Sequence, residues 1–261
     1  MKKKRALRIL SIMLLCIFAL TACKKNVGTP EDNAASKEDE EDKNKDEQEI
    51  WRIGYSVIDM ENPYFITLES AIREELNGQN CELIVKDPKT DPDTQATQIQ
   101  EMIDEGIQAI ILSPVDWEKI TPSLEALKEA GVKIINVDTQ VKEMDYVDAY
   151  IGSDNYSAGV LCGEDLIKRC PEGGKVAILE CPTQNSVNDR ISGFEETLAK
   201  AENGFEIVAR EDTSGEFQKS LEAAQKILSE HSDIVAIMCG NDQMAVGAKT
   251  AMNVAEQGKI L

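Results

Sequence analysis

From residue 50 onward the chain alternates short apolar runs with stretches in which apolar residues recur every three or four positions. Trp51 to Ile58 is apolar and β-prone and predicts a strand. Phe65, Leu68, Ile72 and Leu76 then continue at helical spacing. Before them stands Asn62, suited to an N-cap, and Pro63, whose fixed φ suits a first helical turn. Cys81 to Val85 predicts a second strand, apolar enough to be covered on both faces of a parallel sheet. Asp91-Pro92 breaks the chain, and Ala96, Ile99, Met102 and Ile103 mark a helix that ends at Gly106. Ala109 to Leu112 predicts a third strand, followed by Ser113-Pro114-Val115-Asp116. Thr121 reads as the cap of a helix with Pro122 in its first turn, and Lys133 to Val137 as a fourth strand ending in Asp138-Thr139.

The stretch Ala149 to Gly159 interrupts this rhythm and reads as the crossing from one α/β lobe into a second, with a cleft at the crossing. Beyond it the pattern restarts, with helices predicted over 155–169, 186–200 and 216–230 and strands over 175–179, 205–210 and 234–238. Asn241 caps a last helix reaching Gln257, Gly258 stops it, and Lys259-Ile260-Leu261 predicts the start of another strand. The second lobe is therefore expected to be incomplete, with the chain truncated in it. Strands and helices alternating at short intervals predict parallel, doubly wound sheets. Ligands in such sheets bind beyond the carboxyl ends of the strands, which singles out residues 59–65, Asp87, residues 113–116 and Asp138-Thr139.

The first 49 residues change the picture of compartment. A basic start and an apolar run from Ile9 to Leu20 have the make-up of a signal peptide. The run ends Leu20-Thr21-Ala22-Cys23, which resembles the lipobox of bacterial lipoproteins and implies cleavage before Cys23 and lipid on its sulfur. Residues 24–49 have no large apolar residue after Val27 and predict a disordered acidic tether. From residue 50 onward 18 basic residues face 38 acidic ones, a net charge of −20 that argues against a nucleic-acid partner. With Cys16 in the signal and Cys23 lipidated, Cys81, Cys162, Cys170, Cys181 and Cys239 remain. Their odd number and open spacing fit neither a disulfide framework nor a zinc site, and buried free thiols are expected.

Several motifs stand out, some after predicted strands, one at the crossing and two in the second lobe. Asn62-Pro63-Tyr64-Phe65, Val137-Asp138-Thr139, Gly152-Ser153-Asp154-Asn155, Asp189-Arg190-Ile191-Ser192-Gly193-Phe194 and Gly240-Asn241-Asp242-Gln243-Met244-Ala245 stand in order along residues 50–261. Together they resemble the periplasmic sugar-binding proteins of ABC importers, and more narrowly the ribose-type cluster related to the lac-repressor core. The resemblance implies two Rossmann-like α/β lobes with parallel sheets joined at a hinge, the type I periplasmic binding protein fold. The lobes would comprise residues 50–152 and 153–261 and close on a monosaccharide or polyol. Asp138 would accept two hydroxyls, Arg190 would donate from the opposite lobe, and Asn241 would both donate and accept. Tyr64 and Phe65 would lie against the C–H face of the ring. Asn62 would bond a hydroxyl or only cap its helix, and Ser113 and Ser153 would line the cleft. Two positions depart from the family: Gly215 replaces a second-lobe aromatic and Thr139 an Arg, which suggests a sugar other than ribose or a modified one.

No catalysis is expected. His231, the only histidine, lies beside Ser232-Asp233, but sequence neighbours do not form a catalytic triad. Gly173-Gly174 precedes a strand instead of opening a helix, so it is no phosphate loop. The expected protein needs no cofactor or metal, acts as a monomer, and hands its sugar to a permease from the extracytoplasmic face of the cell membrane. A ligand-presenting sensor uses the same cleft, and a surface glycoside hydrolase would need a second carboxylate near Asp138.

Overall fold

The computed structural model describes residues 50–202 and 204–255. The signal segment, Cys23, the tether over 24–49, residues 256–257 of the expected last helix and the strand expected at 259–261 lie outside these described residues. Eight strands and seven α-helices follow one another among them. In the first half these are β1 (Trp51–Ser56), α1 (Pro63–Leu76), β2 (Cys81–Lys86), α2 (Pro92–Asp104), β3 (Ala109–Leu112), α3 (Thr121–Glu129), β4 (Lys133–Val137) and β5 (Ala149–Ile151). The second half has α4 (Asn155–Arg169), β6 (Gly174–Glu180), α5 (Asn185–Ala199), β7 (Phe205–Asp212), α6 (Phe217–Glu230), β8 (Ile234–Cys239) and α7 (Asp242–Val254).

The strands form two parallel sheets, one of five strands in the order β2-β1-β3-β4-β5 and one of three in the order β7-β6-β8. Strand alternation sorts the first sheet's side chains to opposite faces. Leu83, Val85 and Ile111 pack with Tyr55, Phe65, Leu68 and Ile72 on the α1 face. Ile84, Ile110, Leu112 and Ile134 pack with Ile99, Met102, Leu124 and Leu127 of α2 and α3 on the other. The second lobe has a single core around Val176, Ile178, Phe194, Ile227 and Met244.

Four local expectations change. β2 is the edge of its sheet, and its residues are half-buried or exposed instead of covered on both faces. Thr121 does not cap α3: the chain is already helical at Ile120, after Asp116 Oδ1 has accepted from Glu118 N and Lys119 N, both at 3.0 Å. α2 starts earlier than its apolar pattern, because Asp91 caps it through Asp93 N at 2.9 Å and Pro92 occupies its first turn. The five cysteines are free, but Cys162 is exposed on the outer face of α4 and only Cys181 is fully buried. Burial raises the thiols of Cys181 and Cys239, the latter to about 12, which makes them poor nucleophiles.

Two buried amides set the carboxyl ends of the first sheet. Gln95 donates to Ser56 Oγ at 3.2 Å and Ser113 O at 3.1 Å, and accepts from Val115 N at 2.8 Å. Asn136 donates to Leu112 O at 3.0 Å and Thr139 O at 2.8 Å, and accepts from Val141 N at 3.2 Å. A buried amide left without partners costs about 1–3 kcal/mol, so these brackets hold the loops after β1, β3 and β4 in one arrangement.

Candidate functional site

Beyond these strand ends lies a cavity of about 520 Å³ lined from both lobes, within the size range of small-molecule sites. The first lobe contributes Asn62, Tyr64 and Phe65 from the start of α1, and Asp138 from the end of β4. Asn62 caps its helix, its Oδ1 accepting from Tyr64 N at 3.0 Å. Tyr64 is 51% exposed and Phe65 only 3%, so Tyr64 offers the open ring and Phe65 braces it edge-on at 5.1 Å. Phe65 is chiefly core: it belongs to the Tyr55 cluster, and its carbonyl accepts from Tyr55 Oη at 2.9 Å.

Asp138 has φ 61, a left-handed conformation that few non-glycine residues adopt. Its carboxylate takes hydrogen bonds from the adjacent Thr139, from the backbone N–H and, at a long 3.4 Å, from Oγ1. Burial raises its pKa above the ordinary aspartate value, and the charge of Arg190 across the cleft and the Thr139 hydrogen bonds pull it part of the way back. Burial raises the Tyr64 phenol as well, with the nearby Asp138 charge adding to it.

The second lobe presents Arg190 and Asn241. Arg190 is held at both ends of its guanidinium, Nε donating to Asn155 Oδ1 at 2.9 Å and Nη1 to Gly240 O at 2.8 Å. A glycine seam permits this. A Cβ on Gly159 would lie 1.9 Å from Arg190 O, and one on Gly193 2.2 Å from Tyr156 O, so α4 and α5 touch backbone to backbone. Asn241 caps α7, Oδ1 accepting from Met244 N at 2.9 Å, while Nδ2 donates to Gly215 O at 3.1 Å. Gly215 has φ 74, and a Cβ there would lie 2.9 Å from Asn241 Nδ2. Gly215, read as replacing a second-lobe aromatic, thus serves a tight turn under Asn241.

Six of the eight candidate contacts therefore surround one cavity: Asn62, Tyr64, Phe65, Asp138, Arg190 and Asn241. Ser113 and Ser153 are not among its lining residues. Ser113 is fully buried beneath the strand ends, tied by its backbone to Ser56 O at 3.0 Å and to Gln95, with its Oγ unbonded among the described residues. Ser153 is exposed, because the chain there leaves β5 and turns into α4 at the Asp154 cap. Sequence reasoning missed Gln184 and Ser186, which line the cavity from the start of α5. Ser186 Oγ lies 2.7 Å from Thr139 Oγ1 of the other lobe, both buried, and Trp117 N donates to Thr183 O at 3.0 Å beside them. The only hint of this in the sequence is Thr139 standing where the family places Arg. The lining also holds Asp59, Glu61, Glu216 and Asp242 against Lys89, which leaves the cleft acidic on balance.

Residues 53–260 match the family described as periplasmic binding protein domain. The chain is 28% identical over 243 residues to the ribose import binding protein RbsB of Bacillus subtilis, covering 93% of this chain and 75% of that one. It is 29% identical over 259 residues to a D-ribose/D-allose-binding protein of Pseudomonas aeruginosa, covering 95% and 77%. Among solved structures, an ABC transporter solute binding protein from Mycobacterium smegmatis with bound glycerol superposes with TM-score 0.75 at 28% identity, over 81% of this chain and 73% of the other. One from Actinobacillus succinogenes with bound D-allose gives TM-score 0.71 at 28% identity, over 81% and 77%. With two parallel α/β sheets, a cavity between them and a family match over most of its length, this chain belongs to the periplasmic binding protein domain family.

Proposed function

We propose that this protein captures a monosaccharide or related polyol between its two lobes, 50–152 and 153–261, and delivers it to the permease of an ABC importer. The convergence of Asp138 from one lobe with Arg190 and Asn241 from the other on a cavity of about 520 Å³ carries this reading. Sugar hydroxyls are paired donors and acceptors, and the cleft supplies both: an under-bonded carboxylate, the remaining N–H groups of Arg190, and the second amide N–H of Asn241. The open ring of Tyr64 matches the apolar C–H face of a pyranose or furanose. The names of its relatives, a ribose import protein and a protein with bound D-allose, support the sugar class. Chemistry on the sugar is not part of the proposal, which needs only binding and release by a single chain. Lipid on Cys23, with residues 24–49 as tether, would hold the protein at the extracytoplasmic face beside its permease.

The mechanism is lobe closure. The sugar bridges Asp138 and Arg190, and the lobes rotate about the crossing near Gly152 to enclose it. A thermal-shift scan of pentoses, hexoses and inositols tests the reading. A sugar present at 100 times its Kd adds about 2.7 kcal/mol, which for a chain of this size raises Tm by roughly 5–10 °C. A stable protein whose Tm no sugar moves would overturn the assignment.

A further inference from the structure

Tyr150 lies outside the cavity lining yet touches the cavity's acid. It is the middle residue of β5, the strand from which the chain crosses between the lobes, and its hydroxyl donates to Asp138 O at 2.8 Å. The next residue of β5 completes the grip, Ile151 O accepting from Asp138 N at 2.9 Å. Both backbone polar groups of Asp138 are thus bonded to consecutive residues of the crossing strand. The residue so held is the one with φ 61, a conformation that costs about 1–2 kcal/mol outside glycine and persists where its surroundings impose it.

Gly152 makes the grip sterically feasible. A Cβ at Gly152 would lie 2.0 Å from Tyr150 Oη and 3.1 Å from Asp138 O. The phenol occupies the space a side chain would take, so glycine is required there for room. Tyr150 itself is half-buried, and burial, with the Asp138 charge second, raises its pKa and keeps the phenol protonated as a donor.

We propose that Tyr150 is a positioning residue, whose hydroxyl, seated over Gly152, fixes the left-handed backbone of Asp138 and so aims its carboxylate into the cleft. The importance of that aim for sugar binding rests on the function proposed above; the positioning itself does not. The hinge strand and the ligand carboxylate then form one mechanical unit.

The test uses the full chain as wild type, Tyr150→Phe and Gly152→Ala, which disturb the same contact from two sides. Two readouts are taken: the Asp138 amide and carboxyl resonances without sugar, and the Kd for D-ribose, D-allose and myo-inositol. Both variants are expected to melt cooperatively, to shift the Asp138 resonances, and to weaken whichever sugar the wild type binds about two- to tenfold, the range of one hydrogen bond. Asp138 resonances unchanged in Tyr150→Phe would overturn the proposal, as would a lowered Tm with unchanged resonances, which a purely structural role would give. If the wild type binds none of the three sugars, the sugar reading loses its support, and the resonances still decide the positioning.

Discussion

The two walls of the cleft are built on opposite electrostatic plans. In the second lobe the polar groups are already bonded to their own lobe: Arg190 to Asn155 and Gly240, and Asn241 to Met244 and Gly215. In the first lobe Asp138 sits in a strained backbone, its carboxylate bonded by the adjacent Thr139, through a long side-chain contact and the backbone, and its pKa still raised. The second wall is pre-organised and, on the proposed function, would gain little from reorganising on sugar binding, whereas the first wall carries an unmet demand for donors that sugar hydroxyls would fill. Binding energy should therefore concentrate on the first wall, and stability on the second.

Substitutions can break or sharpen that contrast. The largest effect on affinity is expected for Asp138→Ala. Each charge-assisted bond is worth about 1.5–3 kcal/mol, and two of them would make the loss at least about 100-fold by calorimetric titration. Gly193→Ala should act mainly on stability: forcing a Cβ to within 2.2 Å of Tyr156 O overpacks the α4–α5 contact. Overpacking costs about 1–3 kcal/mol, which by differential scanning calorimetry would lower Tm by roughly 2–12 °C. Asn155→Ala frees the Nε of Arg190 while leaving its bond to Gly240. One lost neutral-acceptor hydrogen bond to a cation should weaken sugar binding by roughly tenfold, with a smaller fall in Tm. An affinity loss for Asn155→Ala as large as for Asp138→Ala would erase the distinction between the walls.

The smallest effect separates folding from binding at one residue. A carboxyl whose folded pKa is raised contributes stability below its unfolded pKa and loses that contribution as pH rises through the folded value. Asp138→Asn removes the buried charge and keeps a residue type that tolerates positive φ. The ligand-free variant should match wild type in acid and melt slightly higher than it at neutral pH, while its sugar affinity falls. A lower Tm for the variant at neutral pH would mean that the ionised carboxylate is stabilised by partners in the fold.

Much of the fold was legible because its signals are local. Apolar runs gave seven of the eight strands, and Asn62-Pro63 and Asn241 mark helix starts that the structure caps as expected. β5 escaped because three residues, Ala149–Ile151, are too few for a periodic pattern, and they are strand only by pairing with β4. Of the cavity lining, Asn62, Tyr64, Phe65, Asp138 and Asn241 were legible from motifs after β1, β4 and β8, whereas Ser113 after β3 and Ser153 after β5 were misplaced. The site was illegible where residues distant in sequence decide the geometry. Gln95 and Asn136 sit in apolar patterns as anomalous amides, and their bracing role appears only when β1, β3 and β4 lie side by side. Ser186 and Thr139 are 47 residues apart, and nothing local to either reports the contact. The left-handed backbone of Asp138 likewise depends on Tyr150 and Ile151 across the turn.

The most direct test of the contrast between the walls is the titration of the Asp138 carboxyl by ¹³C NMR, without sugar and with the sugar that most raises Tm. Hydroxyls that donate to the ionised carboxylate lower its pKa. The carboxyl should therefore titrate above the ordinary aspartate range in the free protein and fall back when sugar is bound, with affinity weakening in step as the pH is lowered. A carboxyl that titrates normally when free and does not move on saturation with sugar would contradict the assignment of Asp138 as the group the ligand completes.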